Sequence, residues 1–320
     1  MSSTTYAQAV SGALDRLQTT GFYLGDTFAN HGPMAAEAMA RLGYCDEVDG
    51  WVDDNIRHRE YGPLPERWQP INAESGEDWQ SALGDRKRGG DWVELFRREL
   101  AETAWRDVLE SWWPSLLPGC AGSLTHGLIR TAHAVRSLGA VDTPSGLQID
   151  ELARGLAFWA TGYSPLPAET SQPSHVTAAG VDQALSELTA EYAGHYTATM
   201  PSFPVPLIHT ITAPAAMRLV LAELPAELHG ISLHTMDAVN RRLFAAFGGR
   251  RSATPREQTQ PGTEQGFAAL AAQAVDIGDE HAIKLCEAVI REDALRPDPG
   301  YFSAASTALG LIRKRSADTP

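Results

Sequence analysis

Asp279-Glu280-His281-Ala282-Ile283-Lys284-Leu285 heads an amphipathic run that continues to about Leu295 before Pro297 and Pro299 stop it. On a helix, His281 and Lys284 stand three residues apart and therefore share one face. A lysine beside a candidate metal ligand needs a reason, because an ammonium repels a cation. Apolar residues at helical period, closed by Pro or Gly, recur from one end of the chain to the other. No stretch alternates convincingly as a strand, so the pattern predicts an all-α protein, read as one multi-helix domain over 1–320 whose helix faces converge on a buried site.

Working outward from that run, a second helix over Phe267 to Val275 precedes it, and the polar, Gly- and Pro-containing stretch Gly248 to Thr263 reads as a mobile loop. Leu233 to Phe247 and Ala215 to Leu224 read as helices. Between Pro201 and His209 the chain enters extended and turns helical before Pro214, whose ring conflicts with the Thr210 carbonyl and predicts a kink beside His209. Upstream, helices are expected over Ser11 to Gln18, Met34 to Leu42, Trp92 to about Trp113, Leu124 to Leu138, Asp150 to Trp159 and Ala178 to Tyr192. From Val48 to Gly90 loops and short helical pieces are expected, with Trp51, Trp68 and Trp79 packed.

Composition narrows the classes. A formal charge of -14 argues against a nucleic-acid or anionic-membrane partner. Neither a membrane span nor a signal peptide is legible. Three cysteines at unrelated spacings fit reduced thiols and a cytoplasmic setting better than a disulfide framework. The chain shows no HExxH, no GxGxxG after a strand, no GKS/T loop and no GxSxG.

Histidines carry the remaining chemistry, and there are ten. His31, His126, His209 and His281 each lie at an apolar helix or helix mouth beside Gly, Pro or Thr. Imidazole suits zinc, copper, iron or nickel, and helical proteins build such sites from facing helices. His31 precedes a helix start marked by Pro33, where the dipole disfavours imidazolium and leaves the neutral ring a metal needs. His126 and His133 share one helix face but are separated by about 10.5 Å along it. At most one of them is a comfortable ligand, and either could be.

The segments Asn30-His31-Gly32-Pro33-Met34, Trp112-Trp113-Pro114 through Leu117-Pro118-Gly119, Thr125 through Ala134, Val205-Pro206-Leu207-Ile208-His209 with Ala213-Pro214-Ala215, and Asp279 through Leu285 resemble, in this order, the questin oxidase-like family. The likeness runs from about His31 to Tyr301. It implies an oxygenase that uses O2 to oxidise an aromatic polyketide such as an anthraquinone, by a Baeyer–Villiger-like or dioxygenase ring cleavage. It also implies a mononuclear non-haem iron, Fe(2+), held by four histidines and a carboxylated lysine. Mapped by motif, the ligands would be His31, His126, His209, His281 and Lys284, with His126 chosen over His133. Arg130 and His133, on the His126 stripe, would orient a phenolate or donate a proton, and external NADPH would serve as reductant. Trp112, Trp113 and Phe203 would offer flat apolar walls or plain core.

The lysine then has its reason. Carbamylation by CO2 needs the neutral amine, which burial favours, and its product is an anionic oxygen ligand. The competing expectation pairs Lys284 as an ammonium with Glu280 or Glu287 across a helix turn. Two other classes stay open: a metal-free helical ligand-binding or scaffold protein, and a zinc hydrolase using the same histidines.

Overall fold

A computed structural model of the chain describes residues 3–25, 28–166, 178–199, 205–249 and 262–318. Most of the loop expected over 248–263, together with Phe203 and the extended entry over 201–204, lies outside the described residues. The protein is all-α. Its one sheet among the described residues is an antiparallel pair, β1 (Tyr23–Leu24) and β2 (Phe28–Ala29). No helix among them is long and apolar enough to cross a membrane.

The chain divides into two compact units, the first formed by Met1–Gln172 with Leu219–His229. It holds α1 (Tyr6–Leu17), α2 (Gly32–Arg41), α3 (Val48–His58), α4 (Gly76–Ala82), α5 (Gly89–Glu102), α6 (Trp105–Leu116), α7 (His126–Gly139) and α8 (Gly146–Thr161). Helix α1 starts on a capping box, in which the Thr5 side chain accepts from the Gln8 amide and Gln8 reaches back to the Thr5 amide. Ser145 and Gln148 do the same for α8. Helix α8 packs on α7, α5 and α1, and α2 lies against α1, α3 and α7. The α7–α8 approach is close because Gly127 has no side chain: a Cβ there would lie 2.5 Å from Trp159 Cα.

The helix expected over Trp92 to Trp113 is two helices. Thr103 is extended (φ -130, ψ 146) and ends α5, and α6 starts at Trp105. On one straight helix, sixteen residues would set Phe96 and Trp112 about 24 Å apart. The break brings their rings to 5.2 Å, in a cluster with Trp92 and Trp79. Packing of four large aromatics thus overrides a continuous helical pattern. Pro114 lies inside α6, which ends at Leu116. Trp51 and Trp79 are half-buried, but Trp68, expected to be packed, is 70% exposed.

The second unit comprises Pro173–Arg218 and Gly230–Pro320. It contains α9 (Ala178–Ala198), most of α10 (Val205–Leu221) and of α11 (His229–Phe247), then α12 (Glu264–Ile277), α13 (Glu280–Leu295) and α14 (Pro299–Asp318). Gly278, in the left-handed region at φ 71, stops α12. Asp279 then caps α13, its Oδ1 accepting from the His281 and Ala282 amides at 2.9 and 3.2 Å. Helix α13 packs on α12 and α14, and α14 also packs on α9. The final helix was not expected from the sequence. Pro299, taken there as a stop, occupies the first helical position, where its missing N–H costs nothing.

Candidate metal centre

The first histidine pair is formed by His31 at the mouth of α2 and His126 at the first residue of α7. Their Nε2 atoms are 2.6 Å apart, with the rings nearly perpendicular at 84°. Nitrogens bound at about 2.1 Å and at right angles on one metal stand about 3.0 Å apart. The pair therefore already has nearly the spacing of neighbouring ligands. Both rings are buried, at 8% and 5% exposure.

Each ring is held from its backbone. Asn30 is fully buried: its Nδ2 donates to Thr20 Oγ1 and the Gly21 carbonyl, and its Oδ1 accepts from the Gly32 amide at 3.0 Å, pinning the chain on both sides of His31. His126 Nδ1 bonds the Ser123 carbonyl. A carbonyl only accepts, so Nδ1 carries the proton and Nε2 presents its lone pair, the tautomer a metal takes. Just before His126, Ser123, Leu124 and Thr125 all have positive φ, at 48°, 52° and 66°. For side chains with a Cβ this region is strained by about 1–3 kcal/mol each. With no glycine among the three, nothing in the sequence announces this turn.

The second pair is His209 on α10 and His281 in the first turn of α13. Their ring centroids are 5.5 Å apart at 80°. His209 is 1% exposed. Pro214 lies inside α10 and supplies no N–H to the Thr210 carbonyl. That carbonyl instead accepts from Asn240 Nδ2 at 2.8 Å, a buried cross-helix bond that lets α10 run on through the proline. Asn240→Ala is expected to lower the unfolding free energy by about 1–3 kcal/mol, read from urea denaturation, because it orphans a buried carbonyl next to His209. An unchanged midpoint would show that the bond contributes nothing.

Lys284 lies one turn along α13 from His281 and is 2% exposed. Its Nζ has no hydrogen-bond partner among the described residues. Burial pulls its pKa down to about 7, against the opposing pull of Glu280 and Asp279. Glu287 turns to Arg291 at 3.0 Å. The expected ammonium–glutamate pairing is therefore not realised as a hydrogen-bonded ion pair, and a neutral amine is accessible near neutral pH. Burial pushes the Asp279 carboxyl up, but the His281 ring and the amides it caps outweigh that and hold it at about 2.

The two other sequence-predicted site residues are tied to carboxylates. His133 Nδ1 meets Glu37 Oε2 at 2.6 Å, and Glu37 also takes Arg136, Arg41 and the Tyr6 hydroxyl. Arg130 is fully buried and binds Glu151 in fork geometry, at 2.7 and 2.8 Å, leaving Nη1 without a hydrogen-bond partner among the described residues. Trp112 belongs to the aromatic cluster and donates to Glu99 at 2.6 Å, and Trp113 packs edge-on to Trp159. Both tryptophans are core of the first unit.

Each unit thus brings two imidazoles together, His31 with His126 in the first and His209 with His281 in the second, and such histidines could hold a metal ion. Fold and donors together define an all-α protein with a candidate histidine metal centre. Compared with known proteins, the chain matches no protein-family model and no curated protein.

Proposed function

We propose that the protein is a questin oxidase-like oxygenase, in which His31, His126, His209 and His281, with carbamylated Lys284, hold one Fe(2+) and O2 oxidises an aromatic polyketide such as an anthraquinone. The observation that supports this reading is the Lys284 Nζ, buried one turn from His281 with no hydrogen-bond partner among the described residues, beside two imidazole pairs, His31 with His126 and His209 with His281. The all-nitrogen histidine set suits a redox metal, and a dry, unpaired amine is what carbamylation requires. In that step the neutral Nζ attacks the carbon of CO2, an N–C bond forms and one N–H proton leaves. The carbamate adds the one negative charge among the ligands.

Bound there, Fe(2+) would supply the electron that lets O2 react with a closed-shell aromatic molecule. The protein's own residues do the rest. Glu37 orients His133 by its Nδ1, so that Nε2 is the nitrogen that moves a proton to or from a phenolic oxygen. Arg130, through Nη1, steadies the phenolate. Insertion of one oxygen atom leaves the other as water and draws two electrons from a reduced nicotinamide supplied from outside, whereas dioxygenase cleavage retains both atoms and needs none. Three free cysteines fit a reducing, cytoplasmic setting.

Protein expressed with added iron should retain close to one equivalent and consume O2 when given an anthraquinone hydroquinone. Less than about a tenth of an equivalent of any transition metal would overturn the reading. Zinc in place of iron, with no O2 uptake, would point to a hydrolase on the same histidines.

A further inference from the structure

The turn before His126 supplies the Ser123 carbonyl that the ring meets, and its surroundings are built to hold it. Ser123, Leu124 and Thr125 run through the left-handed region in succession, which residues bearing a Cβ rarely do even singly. Such a turn persists only where its neighbours over-determine it. Here Gly119, Gly122 and Gly127 come before and after the turn, and each lies against the end of α8. A Cβ on Gly122 would overlap the Gly162 carbonyl, one on Gly119 would overlap the Tyr163 ring, and one on Gly127 would press on Trp159. The Leu166 amide donates to the Pro118 carbonyl at 3.3 Å, fastening the same two segments.

We propose that Ser123-Leu124-Thr125 is the positioning element of the metal centre: clamped against the end of α8, it holds the Ser123 carbonyl on Nδ1 of His126 and so determines that Nε2 is the nitrogen offered. A helical approach to His126 would direct the Ser123 carbonyl along the helix axis, towards an amide. The left-handed run turns it back onto the imidazole instead. Ser123, Leu124 and Thr125 act only through the ring they orient. The purpose of the device rests on the metal-centre reading, but its geometry is testable without metal.

Gly162 gives access to it. A Cβ there would stand 2.6 Å from Ser123 Oγ, while the Gly162 backbone has negative φ and accepts alanine. Gly162→Ala therefore pushes on the turn through one side chain, and Ser123→Gly removes that side chain and suits the positive φ. In metal-free wild-type protein, long-range 15N NMR is expected to show His126 protonated on Nδ1. Gly162→Ala should mix the two tautomers and weaken cobalt(II) binding about tenfold, as loss of an outer partner does in other sites. Gly162→Ala with Ser123→Gly should restore both.

Protonation of His126 on Nε2 in the wild type would overturn the proposal, and this needs no variant to fold. So would a folded Gly162→Ala protein that keeps its tautomer and its cobalt affinity. A wild type that binds no cobalt yet shows Nδ1–H at His126, lost in Gly162→Ala and restored in the double variant, would uphold the positioning element and remove the metal-centre reading.

Discussion

Lys284→Met is expected to move metal content and stability in opposite directions. Methionine keeps the length and apolar body of the lysine but cannot form a carbamate. Retained iron should fall at least tenfold, roughly the effect of losing even an outer partner and a lower bound for a ligand. In metal-free protein the same change removes a buried amine that has no hydrogen-bond partner among the described residues, so unfolding free energy should rise by about 1–3 kcal/mol. Most substitutions that remove a ligand from a buried site leave a cavity. This one fills the site with a side chain of nearly equal volume. Stripping dissolved CO2 from wild-type apoprotein before iron is added should reproduce the loss of uptake, and bicarbonate should restore it. Unaltered iron in Lys284→Met would remove the lysine from the ligand set, and a destabilised apoprotein would mean that Nζ is solvated or paired after all.

The sequence carried the fold class because helix punctuation is local. Pro33 marks the start of α2 beside His31, Gly278 and Asp279 mark the stop of α12 and the start of α13, and each signal lies within a few residues of what it marks. What escaped depends on partners far along the chain. The break at Thr103 carries no Gly or Pro and exists because Trp112 folds back onto Phe96. The turn at 123–125 is imposed by contacts some forty residues away, at Gly162 and Tyr163. Axial spacing could say that His126 and His133 do not both suit one ion, but it could not say which does. Glu37, 96 residues from His133 in sequence, takes the His133 ring while His126 faces His31, a difference that no local spacing announces. Asn240 was equally hidden, since nothing near it in sequence shows that Pro214 leaves a carbonyl to be answered.

The same glutamate supports the second large effect. Glu37→Gln is expected to destabilise the protein by about 3–5 kcal/mol at pH 7, the range for breaking a buried ion pair. Tyr6, Arg41, His133 and Arg136 all direct donors at two carboxylate oxygens that are 3% exposed. Glutamine offers one acceptor and turns a donor towards the rest, so Arg136 and His133 lose the Glu37 charge. Burial alone would raise the Glu37 pKa, but Arg136 and His133 outweigh it and hold the carboxyl well below its ordinary 4.5. Because the folded-state value is the lower one, the stabilisation is fully present above pH 4.5 and is lost as pH falls through the folded value. The gap between wild type and Glu37→Gln in urea unfolding should accordingly stay level from pH 7 to pH 5 and shrink on further acidification. A gap that does not shrink would mean the carboxylate charge is not what the cluster uses. Cobalt affinity adds a second reading: Glu37 grips His133 and not His126, so a folded Glu37→Gln protein should bind cobalt within about threefold of wild type, far less than the loss expected when an outer partner of a true ligand is removed. A tenfold loss would instead place His133 among the ligands.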